Sequence, residues 1–241
     1  MAGHNKWSQI KRKKAANDGQ RSKVISKHIR AIVSAVREGG SSDPSNNVSL
    51  KNALAAAKSD NVSSDNVKRA IERASGGAEG NQFDSVVYEG YGPAGVAVIV
   101  EALTDNRNRT VASVRHVFSK HGGNMSGSTA WQFETKGMIV IPSSSDDLLE
   151  FAMDLDVEDI EQDDDTITLY TEPGQLFNVV EALEAKGYKS EMSQLTKVAQ
   201  TETALSAKDA DKVMRFMESL EDLDDVQNVY STANFDALEI A

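Results

Sequence analysis

Apolar residues recur at helical spacing in the first third of the chain and take on strand character from Ser85 onward. Between Arg21 and Arg37, Ile25, Ile29, Ile32 and Val36 gather on one side of a helix. At 100° per residue, Lys23, Lys27, Arg30 and Arg37 fall on the other side, within an arc of about 80°. One face must therefore be buried while the other presents a cationic stripe. Gly39 and Gly40 stop this helix, and SSDPSNN reads as a loop. Two shorter helices follow, Ser49 to Lys58 and Ser64 to Ser75, the second closed by Gly76 and Gly77. Neither can bury its apolar stripe alone, so the region predicts a small helical bundle, joined by GGAEGNQ to what comes next.

The stretch from Gly95 to Asn124 predicts a strand, a polar loop and a helix in one run. Val96 to Leu103 is too apolar for an exposed edge. Val111, Val114, Val117 and Phe118 then make a helical stripe that ends at Gly122 and Gly123. A strand in SVVYEGYG precedes this unit, and a hairpin of Thr129 to Phe133 with Met138 to Ile141 about Thr135-Lys136-Gly137 is expected to follow it. That gives β-α-β-β. The helix and strand still needed for a ferredoxin-like fold stand at the C-terminus, Ala207 to Leu220 and Val226 to Tyr230. Between them, Asp146 to Met153, Val157 to Ile160, Thr166 to Tyr170, Gly174 to Lys186 and Glu191 to Val198 read α-β-β-α-β, an inserted module resembling the latter part of the same fold.

The expected class is thus α+β: an N-terminal helical bundle plus two ferredoxin-like-type α+β modules, one inserted in the other. The expected boundaries are 1–80 for a basic helical domain, 81–142 with 201–241 for a central domain, and 143–200 for an acidic insertion.

Charge sharpens this division. The whole chain of 241 residues carries −11, but residues 1 to 73 hold 15 Lys and Arg against 6 Asp and Glu, a net of +9. The other 168 residues hold 11 against 31, a net of −20. A polyanion would be attracted to the first part only and oriented by the second. There is no cysteine, which excludes disulfides and thiolate metal sites, and no window approaches a membrane span. A cytoplasmic location is the default expectation.

Phosphate binding needs several cations on one face, because each contact releases condensed counterions and the effects sum. Lys11, Arg12, Lys13, Lys14 and the helix face of Lys23, Lys27, Arg30 and Arg37 supply them, with Arg21 at the start of the same helix as a further candidate. Trp7, beside Lys6, can stack on an unpaired base or pin the N-terminal arm to the bundle. Arg107 and Arg109 lie at a strand-to-helix turn; they can hold a phosphate, or pair with nearby acids while the adjacent asparagines cap the helix. His116 and His121 are spaced by five, not the four that puts two ligands on one helix face, so no metal site is expected. Asp163 to Asp165 and EDLDD from Glu221 read as a hairpin turn and a post-helical loop. No catalytic set, cofactor motif or small-molecule site is evident.

Three stretches carry a family resemblance: MAGHNKWSQIK at the start, YEGYGPAGVAVIVEALTDNRNRTVASVRHVFSKHGGN in the middle and EDLDDVQNVY near the end. Together they resemble the YebC/PmpR family of transcriptional regulators, to which the mitochondrial translational activator of cytochrome c oxidase subunit I is related. GGNMSGSTAWQF looks shorter than the family's glycine-rich stretch, and NVSSDNVKRAIER has serines where the family commonly has Pro-Lys. The resemblance implies a three-domain cytosolic protein, and with no catalytic set evident a non-enzymatic one is expected. It also implies one of two kinds of work: binding promoter DNA as a regulator, or binding ribosomal RNA at the ribosome and assisting synthesis of difficult peptide stretches. An adaptor that binds another protein through its acidic sheets is a third, physically distinct expectation.

Overall fold

The computed structural model describes residues 18–75, 83–163 and 165–235. Three helices come first: α1 (Asp18–Gly39), α2 (Val48–Ser59) and α3 (Ser64–Ser75). Then follow β1 (Asp84–Tyr91), β2 (Ala97–Thr104), α4 (Arg107–Lys120) and β3 (Phe133–Ile141). After these come α5 (Asp146–Met153), β4 (Asp159–Gln162), β5 (Ile167–Thr171), α6 (Leu176–Ala185) and β6 (Met192–Ala199). The last elements are α7 (Ala207–Glu221) and β7 (Val226–Ser231). The class is α+β with an N-terminal helical region. The described chain forms two compact units, one of residues 18–34, 83–134 and 198–235, the other of residues 35–75 and 135–197.

The first unit is built on an antiparallel sheet of order β1-β2-β7. Alternation along β2 assigns its two faces. Val98, Val100 and Ala102 point into a core with Val114, Val117 and Phe118 of α4 and Val213, Phe216, Met217 and Leu220 of α7. Ala97 and Ile99 pack on the other face with Phe133 and Tyr230. Phe118 and Phe216, both fully buried, meet edge to face at 4.9 Å, an arrangement worth about 0.5–1.5 kcal/mol beyond the area buried.

The structure departs from two of the sequence expectations. The first module does not read β-α-β-β: β1 and β2 are themselves the hairpin, joined by a turn of 3-10 helix at Pro93–Gly95. Residues 129–141 are not a hairpin either. Ala130–Gln132 is a single 3-10 turn, and Phe133–Ile141 is one continuous strand. Gly137, expected to be a turn residue, pairs with Thr171 in mid-strand. A Cβ there would collide with the Thr171 hydroxyl and the Leu176 side chain, so this glycine permits close packing and not chain reversal.

The second unit carries the sheet β4-β5-β3-β6, with the β4/β5 and β5/β3 pairs antiparallel. Ile139, Ile141, Ile167 and Leu169 face Leu148 and Ala152 of α5 and Leu176, Val179 and Leu183 of α6. Buried Asn47 caps α2 by accepting from the Leu50 amide at 3.0 Å, and donates to the carbonyls of Ala35 and Ser41 at 2.8 and 2.9 Å. One side chain thereby satisfies three backbone groups and fixes the end of α1 to the start of α2. The Lys51 ammonium sits 4.0 Å from the centre of the Phe177 ring, and the Ser193 amide donates to the Ser59 hydroxyl at 3.4 Å. α2 thus packs with the second sheet's module.

Candidate nucleic-acid interface

The cationic arc predicted on α1 exists, and it is not turned to open solvent. α7 ends at Glu221, and Asp222 caps it, leaving the last carbonyl oxygens without partners inside the helix. Lys27 Nζ donates to the Glu221 carbonyl at 2.8 Å. Lys23 Nζ lies 3.5 Å from the Asp222 carbonyl and 3.3 Å from its carboxylate. Arg30 donates to the Asp224 carbonyl and, at 3.4 Å, to the Asp225 carboxylate. A helix C-terminus carries partial negative charge, so cations are favoured there before the four carboxylates of the turn are counted. The EDLDD run is thus the seat of α1's basic face as well as a post-helical loop. Arg21 is exposed two residues before Lys23, and Arg37 is half-buried in the last turn of α1.

Asp225 joins three elements, α1, α4 and β2. Its side chain is only 12% exposed. Besides Arg30 of α1, its carboxylate accepts from Arg109 at 2.8 Å, from the Thr110 hydroxyl of α4 at 2.8 Å and from the Thr104 hydroxyl of β2 at 3.4 Å. Its backbone carbonyl accepts from the Leu103 amide at 2.8 Å. Thr104 and Thr110 are fully buried and hydrogen-bonded to one another at 2.7 Å.

The polar loop before α4 has the geometry of a capped turn. The Asn106 side chain accepts from the Arg109 amide at 3.0 Å. Arg107 pairs with Asp84 at 2.8 Å, and Arg109 with both Asp105 and Asp225 at 2.8 Å, which raises the Arg109 pKa further through these hydrogen bonds. Lys6, Trp7, Lys11, Arg12, Lys13 and Lys14 lie outside the described residues.

Two features carried no sequence signal. Glu89 of β1 accepts from the Ser128 hydroxyl at 2.9 Å and from the amides of Thr129 and Ala130. These donors, the Ala130 amide first, hold its carboxyl below the usual glutamate range. The turn so anchored displays Trp131, 69% exposed, with its indole N–H donating to the Ser128 carbonyl at 3.1 Å. The glycines of GGNMSGSTAWQF marked a loop; the carboxylate that ties it lies 39 residues before Ser128 and is legible only in three dimensions. Among the described residues no three His, Asp or Glu side chains converge as a metal site, and no helix is long and apolar enough to cross a membrane.

Comparison with known proteins agrees with this architecture. Residues 5–77 match the TACO1/YebC protein N-terminal domain, and residues 83–233 match the TACO1/YebC second and third domain. A protein of Thermus thermophilus named a probable transcriptional regulatory protein is 53% identical over 194 residues, 79% of each chain. One of the same name from Deinococcus radiodurans is 55% identical over 194 residues, 79% of this chain and 80% of that one. The crystal structure of a conserved hypothetical protein from Aquifex aeolicus superimposes with a TM-score of 0.81 at 42% identity, covering 90% of this chain and 91% of that one. The chain belongs to the TACO1/YebC family.

Proposed function

We propose that this protein is a non-enzymatic, nucleic-acid-binding regulator of the cytoplasm that acts on transcription by binding promoter DNA through its basic N-terminal region. The observation that carries this reading is the segregation of charge, +9 over residues 1–73 against −20 over the rest, in a chain whose relatives are named probable transcriptional regulatory proteins. Long cationic side chains recurring once per helical turn suit a phosphate backbone, and the acidic remainder orients the approach. The candidate contacts are Lys6, Lys11, Arg12, Lys13, Lys14, Arg21, Lys23, Lys27, Arg30 and Arg37, with Arg107 and Arg109 secondary and Trp7 stacking on a base.

A second reading, a ribosome-associated translation factor that binds ribosomal RNA, draws on the same groups. Charge that tracks a backbone is indifferent to the sugar, and the helical region has no obvious helix-turn-helix pattern of polar base-reading residues. Crosslinking in growing cells, followed by sequencing of both DNA and RNA recovered with the protein, separates the two. Lys23, Lys27 and Arg30 also hold the 221–225 turn, so the control replaces Lys11, Arg12, Lys13 and Lys14 by serine. Promoter segments enriched with the native protein and lost with the control are the expected result. Enrichment of ribosomal RNA at one locus would establish the second reading in its place, and recovery of neither would leave the basic region as solvated surface.

A further inference from the structure

The three cations that share one arc of α1, Lys23, Lys27 and Arg30, all end on five consecutive residues, Glu221 to Asp225. Their acceptors are three main-chain carbonyl oxygens at or just past the C-terminus of α7 and two carboxylates, a short row of oxygens carrying negative charge. A nucleic-acid backbone offers the same groups the same chemistry. The turn occupies the side of α1 from which a phosphate would reach these cations, and its carboxylates repel a second anion there, so the two compete for the same face.

The contact is also graded. At its deep end Asp225 is held by Thr104, Thr110 and Arg109 whether or not Arg30 is present. At its outer end Lys23 and Asp222 are 46% and 62% exposed, a solvated pair of the kind that contributes little and is readily exchanged. A polyanion that engages several cations at once gains counterion release from each, and can displace such a pair from the outside inward.

We propose that the 221–225 turn is a built-in competitor for nucleic acid: it occupies the cationic face of α1, and nucleic acid binds that face by displacing it. This rests on the nucleic-acid reading given above. Its consequence is that affinity is set by the turn as much as by the number of cations.

The test measures binding of the full chain to a fluorescein-labelled 20-base-pair duplex and to a labelled RNA hairpin, by anisotropy at one fixed salt concentration. Asp222→Asn/Asp224→Asn is compared with Glu181→Gln/Glu184→Gln, which neutralises two exposed carboxylates of α6, remote in sequence from the turn. Net charge changes equally in both. The turn variant should bind at least threefold more tightly than the control. The native chain has no cysteine, so Lys23→Cys/Asp222→Cys provides two unique thiols that a short bismaleimide can join. Joining them should weaken binding at least tenfold relative to the same variant with each thiol capped separately. Equal affinity for the two neutralised variants, with no effect of the tether on measurable binding, would overturn the competitor while leaving the nucleic-acid reading intact. If neither probe binds any of these proteins, the native chain included, that reading fails and the competitor falls with it.

Discussion

Replacing Asp225 by asparagine should destabilise the first unit by about 2 kcal/mol. The carboxylate is the acceptor shared by Thr110 at 2.8 Å, Arg109 at 2.8 Å and Arg30 at 3.4 Å. The amide keeps the shape but offers one acceptor oxygen in place of two, and aims an N–H at groups that themselves donate. The Thr110 bond is buried and charge-assisted, and carries about 1.5–2 kcal/mol. Arg109 is 52% exposed and keeps Asp105, and Arg30 keeps the Asp224 carbonyl. Their loss is therefore largely screened by solvent and adds little. Urea unfolding followed by far-UV circular dichroism at pH 7 reads the sum. With a slope of about 2.5 kcal/mol/M, the midpoint should fall by about 1 M. The deficit should persist in 0.5 M NaCl, because a buried hydrogen bond is not screened as a surface pair is. A loss below about 0.5 kcal/mol at unchanged slope would show that Asp225 does not tie these elements together.

Glu89→Gln should cost about 1–2 kcal/mol at pH 7 by weakening the bonds from Ser128, Thr129 and Ala130. The folded-state pKa is depressed below the ordinary value of 4.5. The carboxylate's contribution is therefore full above pH 4.5 and is lost as pH falls through the folded value, so thermal melts of the two proteins should converge in acid. Gly90→Ala places a Cβ against the Asn124 carbonyl and the Phe118 ring, disrupting the Tyr91–Asn124 bridge. Overpacking of this kind costs about 1–3 kcal/mol, and calorimetry should show a lowered melting temperature.

Periodicity carried most of the helices into view. Asp146–Met153 and Ser64–Ser75 fall where their caps and stripes place them, because those signals are local. The α1 stripe was equally legible as a pattern, but what lies on it was not. A cationic face reads the same whether a phosphate or the carbonyl ends of a helix some 190 residues away will cover it. EDLDD looked like an ordinary acidic loop for the same reason. Gly137 misled because a glycine that admits a neighbouring side chain and one that reverses the chain are the same letter. The Arg107–Arg109 turn was more tractable, since both its capping asparagine and one acidic partner, Asp105, lie within four residues.

The order β1-β2-β7 has a consequence for synthesis on the ribosome. β2 is the central strand of its sheet, yet its second neighbour begins only at Val226, after the whole of β3 to β6 has been made. At about 5–20 residues per second, one edge of β2 waits on the order of ten seconds for its partner. In that interval Val98 and Val100 face the α7 that will cover them before it has been translated. The sheet of β3 to β6 has all its strands in hand first. The nascent chain therefore holds every strand of its second sheet before the first is complete, and an interrupted chain that ends short of Val226 carries an unpaired apolar edge available to other chains.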